Sequence, residues 1–331
     1  TDRRQVIRRV SVTRGSIEFL MECRPAFDYA RASHDALVVP NGVEFRSQSA
    51  QISLSTRVPL QIDGGGAVSR FTLAAGESVT FVLRELAADE TCNPHLSEPE
   101  CESVFRATIG YWRRWISRST YSGRWREMVE RSALALKLLT YEPTGAIVAA
   151  PTCSLPEGIG GERNWDYRYT WIRDSAFTIY AFLRLGFKEE AGAFLKFVAG
   201  VFQDSPTGNP LQIMYGIDGR KELVEESLTH LDGYMGSRPV RVGNAAYGQL
   251  QLDIYGELLD GIYLFNKYGH PIGYDGWVGI SRLVDWVCDN WQRKDEGVWE
   301  VRGGAQHFVY SKLMCWVAID RAIRIARLLG K

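Results

Sequence analysis

Twelve consecutive residues, Arg163-Asn164-Trp165-Asp166-Tyr167-Arg168-Tyr169-Thr170-Trp171-Ile172-Arg173-Asp174, hold four aromatic rings, three arginines and two aspartates. Flat rings suit the C–H faces of a sugar, and fixed Arg and Asp side chains suit its hydroxyls through charge-assisted hydrogen bonds. Rings dotted with a few polar groups are the general form of a small-molecule pocket. A second run, Asp295-Glu296-Gly297-Val298-Trp299-Glu300-Val301-Arg302-Gly303-Gly304, sets a carboxylate beside an indole. A carboxyl that protonates a leaving oxygen must keep its proton near neutral pH, and burial against an apolar ring favours that form. Together the runs read as a site that grips a glucose unit and protonates its glycosidic oxygen through Glu300.

Plainer readings stand beside this one. Asp174 sits where a helix begins, and a cap there also favours the helix dipole. A cap does not account for Arg163, Trp165, Arg168 and Trp171 nearby. Glu300 could instead pair with Arg302 at the surface. Asp295 and Glu296 read as solvated loop charges, and Glu225 and Glu226 as charges on a helix face. Trp165, Tyr167 and Tyr169 divide evenly between core and site. His230, His270 and His307 share no metal-ligand spacing. Gly158, Gly160 and Gly161 lack the preceding strand and the lysine of a phosphate loop, which excludes nucleotide binding.

These motifs need elements to position them. From Trp125 onward apolar residues recur at helical spacing. Helices are predicted over 125–140, 174–186, 188–202, 246–268, 276–292 and 306–329. Long Gly-rich links, 142–172, 203–245 and 293–305, separate them, and the first and last carry the two motifs. Long loops inside a compact domain are more often functional than ornamental. Helices paired this way, with chemistry at one end, suggest half of an α/α toroid. The first hundred residues differ. Val6 to Val12, Ser16 to Glu22, Val43 to Arg46, Ile52 to Ser55 and Ser78 to Arg84 are short strand-like runs broken by turn signals such as Pro40-Asn41-Gly42 and Asp63-Gly64-Gly65-Gly66. That spacing predicts a β-sandwich. Glu102 to Ser117 reads as an aromatic linking helix.

Size and charge fit this picture. The chain has 331 residues, enough for two domains. Lys plus Arg is 39 and Asp plus Glu is 39, so no basic footprint of a nucleic-acid binder is present. No apolar run approaches the ~20 residues of a membrane span. The N-terminal Thr1-Asp2-Arg3-Arg4-Gln5-Val6 has no signal-peptide core. The six cysteines are scattered and read as reduced thiols of a cytoplasmic protein, with Cys92–Cys101 the one tempting local pair.

The motif Gly160-Gly161-Glu162-Arg163-Asn164-Trp165-Asp166-Tyr167-Arg168-Tyr169, with Trp171-Ile172-Arg173-Asp174, resembles glycoside hydrolase family 15. The likeness continues through Leu211 to Gly216, Gly236 to Ala245, Gln249 to Glu257 and Asp295 to Gly304, all in the family's order. It covers residues ~120–331, and its wording is closest to bacterial members. The family includes glucoamylases, glucodextranases and bacterial trehalases. The resemblance implies a β-sandwich over 1–100, a linker helix over 101–121, and over 122–331 the N-terminal half of an (α/α)6 catalytic barrel. It implies an inverting exo-hydrolase of α-linked glucose that needs no metal or cofactor. By motif position, Glu300 matches the general acid, while Trp171, Arg173 and Asp174 match residues that hold the non-reducing glucose. Trp299 matches an aromatic wall of that subsite, and Arg238 matches a glycone arginine.

Two departures follow from the same likeness. Fungal members carry a second Glu after the acid, where this chain has Val301. The family's catalytic base lies in the second half of the barrel and is therefore expected outside this chain. The expected partner is a glucose-containing oligosaccharide or disaccharide. A homo-oligomer or a missing C-terminal segment is expected to complete the barrel. The alternative is a non-catalytic carbohydrate-binding or structural piece that needs a partner segment for activity.

Overall fold

The computed structural model describes residues 4–203 and 211–330. Residues 1–3, 204–210 and 331 lie outside the described residues; they include the extreme N-terminus and part of the expected 203–245 link. The chain divides into two compact units, Thr1–Tyr111 and Trp112–Lys331.

The first unit is built from β1 (Gln5–Ser11), β2 (Ser16–Cys23), β3 (Asp35–Val39), β4 (Gly42–Arg46), β5 (Gln51–Ser55), β6 (Gln61–Asp63), β7 (Gly66–Ala74) and β8 (Ser78–Leu86). They form two antiparallel sheets, ordered β1-β8-β5-β4-β3 and β2-β7-β6. Alternate residues of both sheets meet in one core of Val43, Phe45, Leu54, Ala67, Leu73, Val79 and Phe81. Period-two alternation puts these side chains on the inner faces and leaves the intervening ones outside. The sandwich expected from the turn spacing is present, with β3, β6 and β7 added to the strands read from sequence. Helix α1 (Glu98–Ile116) begins in this unit with a reciprocal cap: Ser97 N–H donates to Glu100 Oε2 at 2.8 Å, and Glu100 N–H donates back to Ser97 Oγ at 3.5 Å. Cys92 and Cys101 are both free thiols, as are the other four cysteines.

The second unit holds α2 (Arg126–Leu138), α3 (Ile172–Leu185), α4 (Lys188–Gln203), α5 (Asp253–Tyr268), α6 (Tyr274–Asn290) and α7 (Val309–Leu328). Two-residue strands run through the links: β9 (Thr140–Tyr141), β10 (Ala146–Ile147), β11 (Thr170–Trp171), β12 (Met214–Tyr215), β13 (Glu226–Ser227) and β14 (Arg241–Val242). Helix α5 packs between α3 and α7, while α2 and α4 pack on α3, and α6 packs on α7. The α5–α7 approach is close enough to demand glycine, because a Cβ on Gly256 would meet the Met314 carbonyl oxygen at 2.3 Å. Helix α3 stops where Gly186 turns left-handed at φ 91°, and Phe187 N–H returns to the Phe182 carbonyl at 2.8 Å. The core runs through Ile172, Ile179, Phe182, Phe187, Phe194, Leu258, Leu259, Val287 and Ala318. Glu190 is among the charges embedded in it. Glu190 accepts from Trp115 Nε1 at 2.6 Å and lies 3.0 Å from Lys137 Nζ.

The expected helices are all found, with shifted ends. Helix α3 starts at Ile172 rather than 174, and α5 starts at Asp253 rather than 246. Residues 245–248 form a separate 3-10 turn, capped by Asn244 Oδ1, which accepts from Ala246 N–H at 3.1 Å. Glu225 and Glu226 lie at or beside β13 rather than on a helix face. No described helix is long and apolar enough to cross a membrane.

Candidate active site

Two loops are tied down before they present any chemistry. Asp166 is fully buried and takes two side-chain bonds from Arg168, at 2.9 and 2.8 Å, plus the Gly243 N–H at 3.2 Å. Burial alone would raise its pKa, but the Arg168 bonds win and hold the carboxyl below the ordinary aspartate range. This anchors the loop leading to β11. Trp165 is clamped between the guanidinium groups of Arg241 and Arg302, 4.7 and 4.3 Å from its ring centre. Both arginines also pair with Glu225, at 3.4 and 3.0 Å. Trp165 and Arg302 thus serve the loop framework, and Arg302 does not pair with Glu300.

The loop after α6 is held the same way. Asp295 is fully buried, and its Oδ2 accepts from Leu252 N–H at 3.0 Å and Ser311 Oγ at 2.7 Å. Glu296 Oε2 accepts from Leu250 N–H at 2.8 Å. From sequence alone both read as solvated charges. They are instead the ties that bind this loop to the start of α5 and, for Asp295, of α7.

With both loops fixed, Glu300 meets the start of α3. Its Oε1 accepts from Trp171 Nε1 at 2.8 Å and lies 3.5 Å from Arg173 Nη2. The same Nη2 is 3.0 Å from Asp174 Oδ2. Arg173 Nη1 donates to the Val298 carbonyl at 3.1 Å and to Gln251 Oε1 at 3.4 Å. Trp171 is buried because β11 pairs with β12, placing its ring in the core and its N–H outward to the acid. The next residue begins α3, so Arg173 and Asp174 both fall in the first turn. Glu300 itself is left-handed, with φ 52°, a conformation that costs a non-glycine residue free energy. It is held there by its N–H to the Gly297 carbonyl at 3.0 Å and by Gln249 Nε2 on its own carbonyl at 3.4 Å.

The structure therefore brings Trp171, Arg173, Asp174 and Glu300 into one cluster. The side chain of Asp174 is 43% exposed and that of Glu300 is 22%, so both remain reachable. Trp299 is 86% exposed. Arg238 pairs with Asp232 and is exposed, and no described bond joins it to the cluster. Sequence reading passed over Gln251 and Asp253, which stand behind Arg173. Their signal was the alternation Gln249, Gln251, Asp253, which places polar side chains at every second residue on the approach to α5. Chemically the cluster can hold sugar hydroxyls on Arg173 and Asp174 while Glu300 offers a proton to an adjoining oxygen.

A mainly helical unit with a carboxyl beside an arginine–aspartate pair and an indole is compatible with a carbohydrate-cleaving domain. The chain belongs to the glycosyl hydrolases family 15, whose model matches residues 123–331. A trehalase of Mycolicibacterium smegmatis is 42% identical over 338 residues, which cover 98% of this chain and 50% of that protein. One of Mycobacterium tuberculosis is 40% identical over 98% of this chain and 49% of its own length. The chain thus spans about half the length of these curated relatives. Among solved structures, a putative kojibiose phosphorylase from the human microbiome aligns with 99% of this chain and 47% of its own at a TM-score of 0.54 and 9% identity, a likeness of fold alone.

Proposed function

We propose that these residues form the acid side of an inverting exo-glycosidase that releases glucose from an α-linked glucoside. Trehalose is the favoured substrate, since the two relatives named above are trehalases; α-1,4-glucan ends present the same terminal glucose. Glu300 protonates the glycosidic oxygen, and Arg173 and Asp174 hold the glucose whose bond breaks. Trp299 and Arg238 are second-rank contacts that would need to turn toward the sugar. The observation that carries the reading is the Trp171 Nε1 bond to Glu300 Oε1 at 2.8 Å, which aims the acid at the Arg173–Asp174 pair.

An inverting site needs a second carboxylate ~6.5–9.5 Å from the first, with room for a water between them. We assign that base to residues outside these 331. Helices α3, α5 and α7 on one side, with α2, α4 and α6 packed against them, fit half of an (α/α)6 barrel, and residues 122–331 are proposed as that half. Phe177 and Tyr180 on α3 and Trp316 on α7 stay 50–60% exposed, which supports a covering segment or a second copy. The free thiols fit a cytoplasmic setting.

The test is Glu300→Gln in the full-length natural protein. Trehalose binding is retained and turnover falls at least ~10²-fold, the lower end for a lost general acid. Turnover close to wild type would refute the assignment. Binding without turnover by the wild-type full-length protein would favour a carbohydrate-binding role.

A further inference from the structure

Asp253 is the first residue of α5 and is fully buried, yet neither of its carboxyl oxygens accepts a hydrogen bond from another residue. Buried carboxyl groups are ordinarily satisfied, so one left bare has a reason. The cation whose charge reaches it is Arg173, on the neighbouring α3, which is ion-paired to Asp174 and Glu300 rather than to Asp253. Two residues earlier, Gln251 is also fully buried; its Oε1 takes a bond from Arg173 Nη1 at 3.4 Å, and its Nε2 has no acceptor. Arg173 therefore has Asp174 and Glu300 on its Nη2 side and the Gln251–Asp253 segment behind it.

That placement answers a difficulty in the acid site. A guanidinium beside a general acid favours the ionised carboxylate, whereas the reaction needs the proton kept. We propose that Asp253 is a positioning residue of this site: its buried carboxylate is the uncommitted counter-charge of Arg173, holding that guanidinium between Asp174 and Glu300 and offsetting its charge where Glu300 must stay protonated. The inference rests on the reading of Glu300 as the acid. It adds a residue that touches neither sugar nor leaving group.

The arrangement carries a pH signature. Burial pushes the Asp253 carboxyl up to about 6; Arg173 and the residue's own N–H oppose the rise, and the charges of Asp295 and Glu257 add to it. Tyr310 and Cys315 face it from α7. Below about 6 Asp253 carries its proton and the counter-charge is gone, while above it the charge is present. The stability sign is the reverse of an ordinary aspartate. A raised folded-state value means wild type loses stability as pH climbs through about 6, because a bare buried group must ionise.

Asp253→Asn in the full-length natural protein keeps shape and removes the charge. At pH 7.5 its kcat for trehalose is expected to fall roughly 10- to 100-fold, the scale of a mispositioned reacting group, with KM little changed. The basic limb of its rate profile moves to lower pH, and the two proteins converge below about pH 6. Its melting temperature relative to wild type rises between pH 5 and 7.5. An unchanged profile, or a loss of activity that merely tracks a loss of stability, would overturn the proposal. A stability cycle with Arg173→Gln needs no activity: the stabilisation from Asp253→Asn should be larger when Arg173 is absent. Additive effects would show the two charges are not coupled, and the inference would fail even if Glu300→Gln behaves as a lost acid.

Discussion

Asp166 and Asp253 are both fully buried, yet they sit in opposite environments. Asp166 is wrapped by Arg168 and the Gly243 N–H, and its bonds are spent on holding a loop. The Asp253 carboxyl takes no bond from another residue and feels the charge of a guanidinium whose bonds go elsewhere. The framework of this unit satisfies its charges and becomes rigid. The cluster around Glu300 leaves charges partly unsatisfied, and its acid is held in a left-handed conformation. Local cost concentrates where chemistry is expected and is offset by the tied loops around it.

Several variants would sharpen or break this contrast. Arg173→Gln should have the largest effect, lowering kcat/KM for trehalose roughly 10²- to 10³-fold in the full-length protein, the scale for loss of a preorganised donor. A loss under tenfold would place Arg173 with the framework. Asp166→Asn should cost about 2–3 kcal/mol in chemical denaturation, because Arg168 loses a charged, bidentate partner. The cost should shrink as pH falls, since the Asp166 carboxyl is held below the ordinary aspartate range and its contribution disappears only on protonation in acid. A cost that grows in acid would contradict the pairing. Gly256→Ala should cost roughly 1–3 kcal/mol by forcing α5 from the Met314 carbonyl, read from the urea midpoint. Trp299→Ala should have the smallest effect, within about 0.5 kcal/mol in stability, because the ring is 86% exposed. Any weakening of trehalose binding by that change would report a ring that turns onto the sugar.

The sequence made the broad layout legible because periodicity is local. Alternation over β2 and β8 and helical spacing over α4 and α6 are visible within a single run. Strand β7 escaped because it opens at Gly66, inside a glycine cluster that signals a turn. The start of α5 was read early because Ala245–Gly248 is a 3-10 turn with helix-like spacing. Trp171, Arg173, Asp174 and Glu300, which cluster in the structure, stand out as candidates by residue type and motif, although Arg173 and Glu300 are 127 positions apart. The roles of Asp295 and Asp253 were not. Asp295 is bonded to Leu252, 43 positions away, and no local pattern marks a carboxylate whose partner is a distant N–H. Asp253 is distinguished by the bonds it lacks, which only packing exposes.

The crystal structure of full-length Glu300→Gln protein soaked with uncleaved trehalose tests the central claim most directly. The glycosidic oxygen should lie ~2.7–3.2 Å from the residue-300 side chain, with hydroxyls of one glucose on Arg173 and Asp174. A sugar bound elsewhere, with that cluster untouched, would contradict it.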